Sequence, residues 1–498
     1  MKATANKRLL AVLLAMLTLV PLGTACAEKK DDNIPGQDAV STESETEADS
    51  ETQESFDPNL PDGLYFDGRP FTILDKAVST YNEWGETSIW LETEDADVVN
   101  TAIYRRNQQI EEKYGIEFVE YQSGTVTGDI QKSVTAQDDA YQVVMPAFGD
   151  CGSQAAAGNF INLYELPYNN FERAWWDQSS IRDLTIAGKL YFVSSDISML
   201  NNDATWCTMF SKGLIADNTL PEPYDLVASN EWTMENFYTL YQSASRDLNG
   251  DGKMSHDDQF ANLTQNENYN AMFLGSGERL IAKDSDDLPV VSLGTSERCI
   301  GVLDSLIEIM MDKNFSYNYH TMASSLGHHL QTTKMFEEGR GLFWVTNLQI
   351  VIRLRNLDAD FGIVPVPKYD AEQEQYANVV WTVGSYVAVP ITCQDAEFVS
   401  AILEAMAAKS RQLLRPAYYE VALTAKYLRD EESRKMMDIV FDERVFDLGL
   451  AYNFGGIADI VQKLVSAKSN NISKSMDSKS KAINKAIEKI VDKFNGIS

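Results

Sequence analysis

Cysteine is scarce in this chain, with five in 498 residues and no two spaced as a CxxC pair. That scatter argues against a structural zinc site, which needs clustered thiolate or imidazole ligands. Apart from Cys26, the cysteines are Cys151, Cys207, Cys299 and Cys393. Two disulfides and four isolated thiols both fit their spacing. Histidine is scarcer still, with only four residues. His256, His320, His328 and His329 stand in no HExxH context, and no G-x-S-x-G nucleophile elbow is present. A glycosidase needs two carboxylates roughly 5–9 Å apart, yet no strand end carries a hydrolase-like signature. Cationic side chains are the minority, 42 Lys and Arg against 74 Asp and Glu, for a net charge of −32. Phosphate binding needs clustered Lys and Arg, so nucleic acid is excluded as the expected partner. The carboxylate excess reads as a solubilising surface. No internal repeat is visible, and no apolar run reaches the ~20 residues that span a bilayer.

Hydrophobic residues make up 44% of the chain and charged residues 23%, enough apolar material for sizeable cores. A chain of 498 residues exceeds one ordinary core, so two or more lobes are expected. The N-terminus has Lys2, Lys7 and Arg8, an apolar run over 9–20, and small residues ending in Cys26. This resembles a bacterial lipoprotein signal, in which the cysteine is lipidated and becomes the new N-terminus. Residues 27–62 carry twelve Asp or Glu, two Lys and one aromatic. Such a segment cannot nucleate a core and is expected to be a disordered acidic tether.

Strand and helix signals then alternate. "FTILD" reads as a strand, Val99, Ile103, Ile110 and Tyr114 as one helical stripe, and "IEFVEY" and "YQVVMP" as further strands. That rhythm indicates an α/β protein with a mostly parallel sheet, whose ligands sit beyond strand carboxyl ends. "GKLYFVSSDISMLNNDATWCTMFSK" reads as a strand-rich crossing between lobes. "GLFWVTN" and "FGIVPVPK" are strands with a helix between them, and "VVWTVGSYVAVP" is a return crossing. The last helix, 472–494, is amphipathic through Ile483, Ile487, Ile490 and Phe494.

Residues 247–258, "DLNGDGKMSHDD", place oxygen-bearing side chains at Asp247, Asn249, Asp251, Ser255 and Asp258, with Gly252 at the sharp turn. Lys253 would add its backbone carbonyl. This is the spacing of a twelve-residue Ca²⁺ loop. A structural Ca²⁺ is expected, since no long exiting helix follows that a calcium switch would swing. A dockerin-type module would need paired loops, and only one is present. The plain alternative is an Asn-Gly/Asp-Gly turn.

"NDATWCTMFSK", "MFEEGRGLFWVTN", "DFGIVPVPKYD" and "VGSYVAVP", in this order and after a lipoprotein-like start, carry a family resemblance. The chain resembles the extracellular solute-binding proteins of bacterial ABC importers, in the carbohydrate class that includes maltose-binding protein. The resemblance implies a two-lobed periplasmic-binding-protein-like fold of type II, with a multi-strand hinge and a cleft between the lobes. It also implies a sugar or oligosaccharide ligand, permease partners with a cytoplasmic ATPase, a monomer, and no catalysis. The alternatives are a secreted carbohydrate-active enzyme and a binder of a non-sugar, peptide-like solute. The expected divisions are signal 1–26, tether 27–62, first part of lobe 1 over 63–200, lobe 2 over 201–380 with the calcium-like insertion, return to lobe 1 over 381–430, and a helical segment over 431–498 that closes the lobes. Sugar rings stack their C–H faces on aromatics and offer hydroxyls to amides and carboxylates. The candidate ligand residues are therefore Trp84, Trp206, Trp381, Tyr386 and Tyr452, with Asp150, Asp203, Asn347 and Gln349 beside them. Trp175 and Trp176 are adjacent, so on a helix at most one of them faces a ligand.

Overall fold

The computed structural model describes residues 56–79, 83–322, 328–354, 360–423 and 431–496. All of these belong to one compact unit. The signal segment 1–26, with Cys26, and residues 27–55 of the expected tether lie outside the described residues. The end of that tether is corrected. Leu60 packs against the core, and the carbonyl of Asp57 accepts a hydrogen bond from Arg173 at 3.3 Å. A single leucine in a polar run leaves no periodic signal.

Lobe 1 begins with β1 (Arg69–Lys76), a helix over Val98–Tyr114, β2 (Ile116–Ser123), a helix over Val126–Ala136 and β3 (Val143–Val144). These strands form an all-parallel sheet in the order β2–β1–β3, with Phe71 opposite Phe118 and Ile73 opposite Val143. Phe71, Ile73 and Leu74 are buried, as a strand covered on both faces requires. The helix Val98–Tyr114 buries Ile103, Ile110 and Tyr114 together with two polar residues, Arg106 and Asn107. Arg106 is tolerated there because it donates to the carbonyls of Ser88 and Ile89 at 2.8 and 2.7 Å.

Lobe 2 contributes β4 (Trp206–Ser211), β5 (Phe260–Thr264), a hairpin of β6 (Ile281–Lys283) and β7 (Pro289–Val291), β8 (Ser316–Asn318), β9 (Gly341–Asn347) and β10 (Phe361–Val364). Its five-stranded sheet has the order β10–β4–β9–β5–β8. β5 runs parallel to both β8 and β9, whereas β4 is antiparallel to β9 and β10. The carboxyl ends of β5, β8 and β9 therefore share one edge.

Two crossings join the lobes side by side. Thr205 bridges Val380, and the Trp381 N–H donates to the carbonyl of Ala204 at 2.9 Å. The return segment then attaches to lobe 1 by single bridges, Val387 to Val193 and Ala388 to Val144. A further link is the parallel pair β11 (Asn378–Val379) and β12 (Arg444–Val445). The stretch read as strand-rich over 188–212 is strand only in β4. Before it, Asn201 Nδ2 donates to Ser385 O at 2.7 Å and to Ser194 Oγ at 3.0 Å, so side chains do the work of a ladder. The final helix, Ile472–Phe494, packs against β7 near its start. Its Phe494 ring meets Tyr191 of lobe 1 with centroids 4.4 Å apart. Among the described residues no helix is long and apolar enough to cross a membrane.

Candidate functional site

A cleft of about 60 Å³ opens beyond the shared carboxyl edge of the lobe-2 sheet. Gln265 follows β5, Tyr319 follows β8, and Asn347 ends β9; all three line it. Gln349 and Ile350 enter from the short helix Leu348–Arg353. Lobe 1 supplies Glu83 and Trp84 from the loop after β1, and the return crossing supplies Trp381. Four of the residues singled out in the sequence, Trp84, Asn347, Gln349 and Trp381, thus meet in one place. Gln265 and Tyr319 were not among them. The rule that ligands sit beyond strand carboxyl ends, applied to "ANLTQ" and "SYNY", points to both.

The aromatic wall is a ladder of three indoles. Trp84 meets Trp381 edge to face with centroids 5.3 Å apart, and Trp381 meets Trp206 at 5.8 Å. Trp84 and Trp381 are half-buried, while Trp206 is buried beneath them. Trp206 therefore supports the platform and does not face the cleft. Amide side chains line the same cleft. Asn347 occupies the N-cap of its helix without making a capping bond, and its Oδ1 is buried with no partner among the described residues. Gln349 Oε1 is in the same state. An unpaired buried acceptor costs about 1–3 kcal/mol, and two on side chains that line one cleft are what a hydroxyl-bearing ligand would relieve. Burial, and then the charge of Glu267, push the Tyr319 phenol well above its ordinary value, so it stays a hydrogen-bond donor.

The other candidates lie elsewhere. Asp150 is exposed in the first turn of the helix Phe148–Ala157 and does not line the cleft. Its charge reaches Lys76, whose ammonium donates to the carbonyl of Val383 at 2.8 Å; burial lowers that lysine's pKa, and Glu86 and Asp150 oppose the shift. Asp203 is taken by Tyr418, whose hydroxyl donates to it at 2.8 Å. Burial pushes the Asp203 carboxyl up to about 7 against that bond. Tyr386 is corrected from a ligand residue to a core residue, while Tyr452 is half-buried, packs against the core and does not line the cleft. Tyr386 is fully buried and stacks on Phe148 with centroids 4.7 Å apart. Tyr452 stacks on Phe454 at 5.4 Å and meets Phe192 at 6.0 Å. The return segment 384–390 is buried throughout, so its aromatic has core on every side. Trp175 and Trp176 are both buried, and both indole N–H groups donate to one carboxylate, Glu404, at 3.0 and 2.9 Å.

The calcium-like loop is a tight turn with Gly250 and Gly252 at φ +71° and +78°, which glycine adopts without strain. Asp247 accepts from the N–H groups of Gly250 and Gly252, both at 2.7 Å. Asn249 accepts from Asp251 N–H at 2.9 Å, and Asp251 from Lys253 N–H at 2.8 Å. The buried Asp258 accepts from Leu248 and Ser255 N–H at 3.0 and 2.7 Å. Burial opposes its ionisation, but those N–H groups outweigh it and hold the carboxyl below its ordinary value. Among the described residues no group of three or more His, Cys, Asp or Glu is gathered closely enough to hold a metal ion. Cys151, Cys207 and Cys299 are buried free thiols and Cys393 a half-buried one, which decides against disulfides among the four.

No family model matches the chain, and no curated protein sequence matches it. Solved structures do. A cyclic α-maltosyl-1,6-maltose binding protein from Arthrobacter globiformis superposes with a TM-score of 0.56 at 13% identity, over 84% of this chain and 99% of that one. An ABC transporter associated binding protein from B. animalis subsp. lactis, in complex with β-1,6-galactobiose, gives 0.52 at 12% identity, over 84% and 98%. An ABC substrate-binding protein from Listeria monocytogenes, in complex with cycloalternan, gives 0.51 at 11% identity, over 87% and 100%. At such identities the likeness concerns the backbone. The chain shares the two-lobed α/β, periplasmic-binding-protein-like fold of these structures.

Proposed function

We propose that the protein binds a sugar or short oligosaccharide outside the cell, without altering it, and delivers it to an ABC permease driven by a cytoplasmic ATPase. The observation that carries this reading is the pairing of faces in the cleft. Trp84 and Trp381 offer aromatic surface for sugar C–H groups, while the amides of Asn347 and Gln349, whose Oδ1 and Oε1 have no partner among the described residues, line the same cleft as acceptors for hydroxyls. The structural neighbours bound to cycloalternan and β-1,6-galactobiose lend support, since both ligands are oligosaccharides. A lipid on Cys26 would hold the protein at the outer face of the cell membrane as a monomer. Calorimetry against a panel of plant and host glycans tests the reading. The expected result is binding by at least one family of glycans, each recovered intact. Silence across the panel, or cleavage of a bound glycan, would overturn it.

The loop 247–258 is proposed to hold a structural Ca²⁺, for which its carboxylates would have to draw closer together than they stand in this fold. Support comes from the order of its oxygen donors and from the turn at Gly252. Each carboxylate oxygen engaged by a backbone N–H keeps a second lone pair for a cation. Extracellular calcium would fill even a weak site of ~10⁻⁴–10⁻³ M constantly.

A further inference from the structure

Glu83, which lines the cleft, forms an ion pair with Arg353, with Oε2 and Nη2 2.9 Å apart. Glu83 precedes Trp84 on the lobe-1 loop, and Arg353 ends the lobe-2 helix Leu348–Arg353 that carries Gln349. The lobe-1 loop is pinned where it returns. Glu86 N–H donates to the carbonyl of Lys76 at 2.8 Å. Gly85 lies so close to the backbone that a Cβ there would meet Val78 N at 2.3 Å, so only glycine fits this return. Glu83 and Trp84 therefore move with lobe 1, and Arg353 and Gln349 with lobe 2.

We propose that Glu83–Arg353 is an electrostatic latch between the lobes, which biases them toward closure and slows reopening. The pair is 44% exposed on the glutamate side and 39% on the arginine side. Water and salt reach it, so it is a weak latch. A weak latch suits a trap that must reopen: a closed state held by a few-fold bias still yields when a partner pulls the lobes apart. The latch needs no ligand, since the two charges satisfy each other and leave Asn347 and Gln349 for recognition. The net charge of −32 also pushes the lobes apart at low salt, so ionic strength alone does not isolate the pair.

The test is a charge-reversal cycle on the full chain without ligand, read by small-angle scattering. Glu83→Arg and Arg353→Glu should each shift the closed-to-open ratio roughly two- to fivefold toward open, seen as a larger radius of gyration. The double reversal should return the scattering to wild type, and 1 M NaCl should shrink the difference between single reversals and wild type. Thermal melts confirm that each variant is folded, and Glu83→Gln with Arg353→Gln replaces any reversal that is not. Single variants that scatter like wild type, or a double reversal as open as the singles, would overturn the latch. No sugar enters the measurement, so its outcome is independent of the glycan panel.

Discussion

The indole of Trp84, on the loop that leaves lobe 1, meets the indole of Trp381, on the crossing that returns to lobe 1, edge to face at 5.3 Å with ring planes 84° apart. Neither ring is buried by that contact alone; both remain half-exposed to the cleft. Two aromatics nearly three hundred residues apart in sequence thus make one wall, and Trp206 backs it from below.

The three tryptophans should separate by assay. Trp381→Ala should weaken glycan binding about 30-fold, the ~2 kcal/mol of an aromatic hot spot, with the melting temperature nearly unchanged. Trp206→Ala should cost roughly 3–5 kcal/mol of folding stability through the cavity it leaves. Calorimetry and urea melts on both variants check this. Equal stability losses would remove Trp381 from the ligand wall.

Gln349→Leu removes an acceptor that has no partner among the described residues. Stability should hold or rise slightly, while affinity falls about tenfold, the worth of one good hydrogen bond. Loss of stability with affinity intact would make Gln349 a structural residue.

Asp203 links stability to pH. Its carboxyl titrates near 7 when folded, against an ordinary value of 3.8. The folded state therefore holds the proton more tightly, and the resulting stability is complete below about pH 4 and lost as pH rises toward 7. Asp203→Asn keeps an acceptor for Tyr418 and has nothing to titrate. Relative to wild type it should gain on the order of a few kcal/mol in urea melts between pH 4 and pH 7.5. Parallel pH profiles would mean that Asp203 titrates as an ordinary surface carboxylate.

Calcium at 1–10 mM should raise the melting temperature by roughly 1–3 °C through mass action on a weak site. Asp251→Ala should abolish the rise, and glycan affinity should stay constant with or without calcium. A melting curve indifferent to both calcium and chelator would make 247–258 a turn held by its own Asp and Asn side chains.

Cys26→Ser should release the protein from the membrane fraction or leave its signal uncleaved. Normal processing and an unchanged membrane fraction in the variant would count against lipid anchoring.

Local periodicity and capping carried far in this chain. The final helix, Ile472–Phe494, is legible residue by residue, because its apolar spacing is regular and Asn471 caps it by accepting from Lys474 N–H. The β-α-β-α-β opening of lobe 1 and the strands "GLFWVTN" and "FGIVPVPK" are equally plain. Buried crossings were harder to read. Between 188 and 205, apolar residues alternate as they would in a strand, yet Asn201 and serine side chains tie the segment to its neighbour without a ladder. Composition cannot tell these two ways of satisfying a buried backbone apart.

The sequence by itself determined the α/β class, the two-lobed expectation, the scarcity of metal and nucleophile motifs, and a pool of aromatic and amide candidates. Only the tertiary structure decided which of them share a space. Tyr386 went to the lobe-1 core with Tyr452 packed half-buried against it, Trp206 beneath the platform, and Trp84, Trp381, Asn347 and Gln349 to one cleft with Gln265 and Tyr319. The physical reason is that side-chain period reports which face of an element is covered, never what covers it. An unpaired acceptor, an ion pair or a supporting indole exists only once residues far apart in sequence have been brought within a few ångströms.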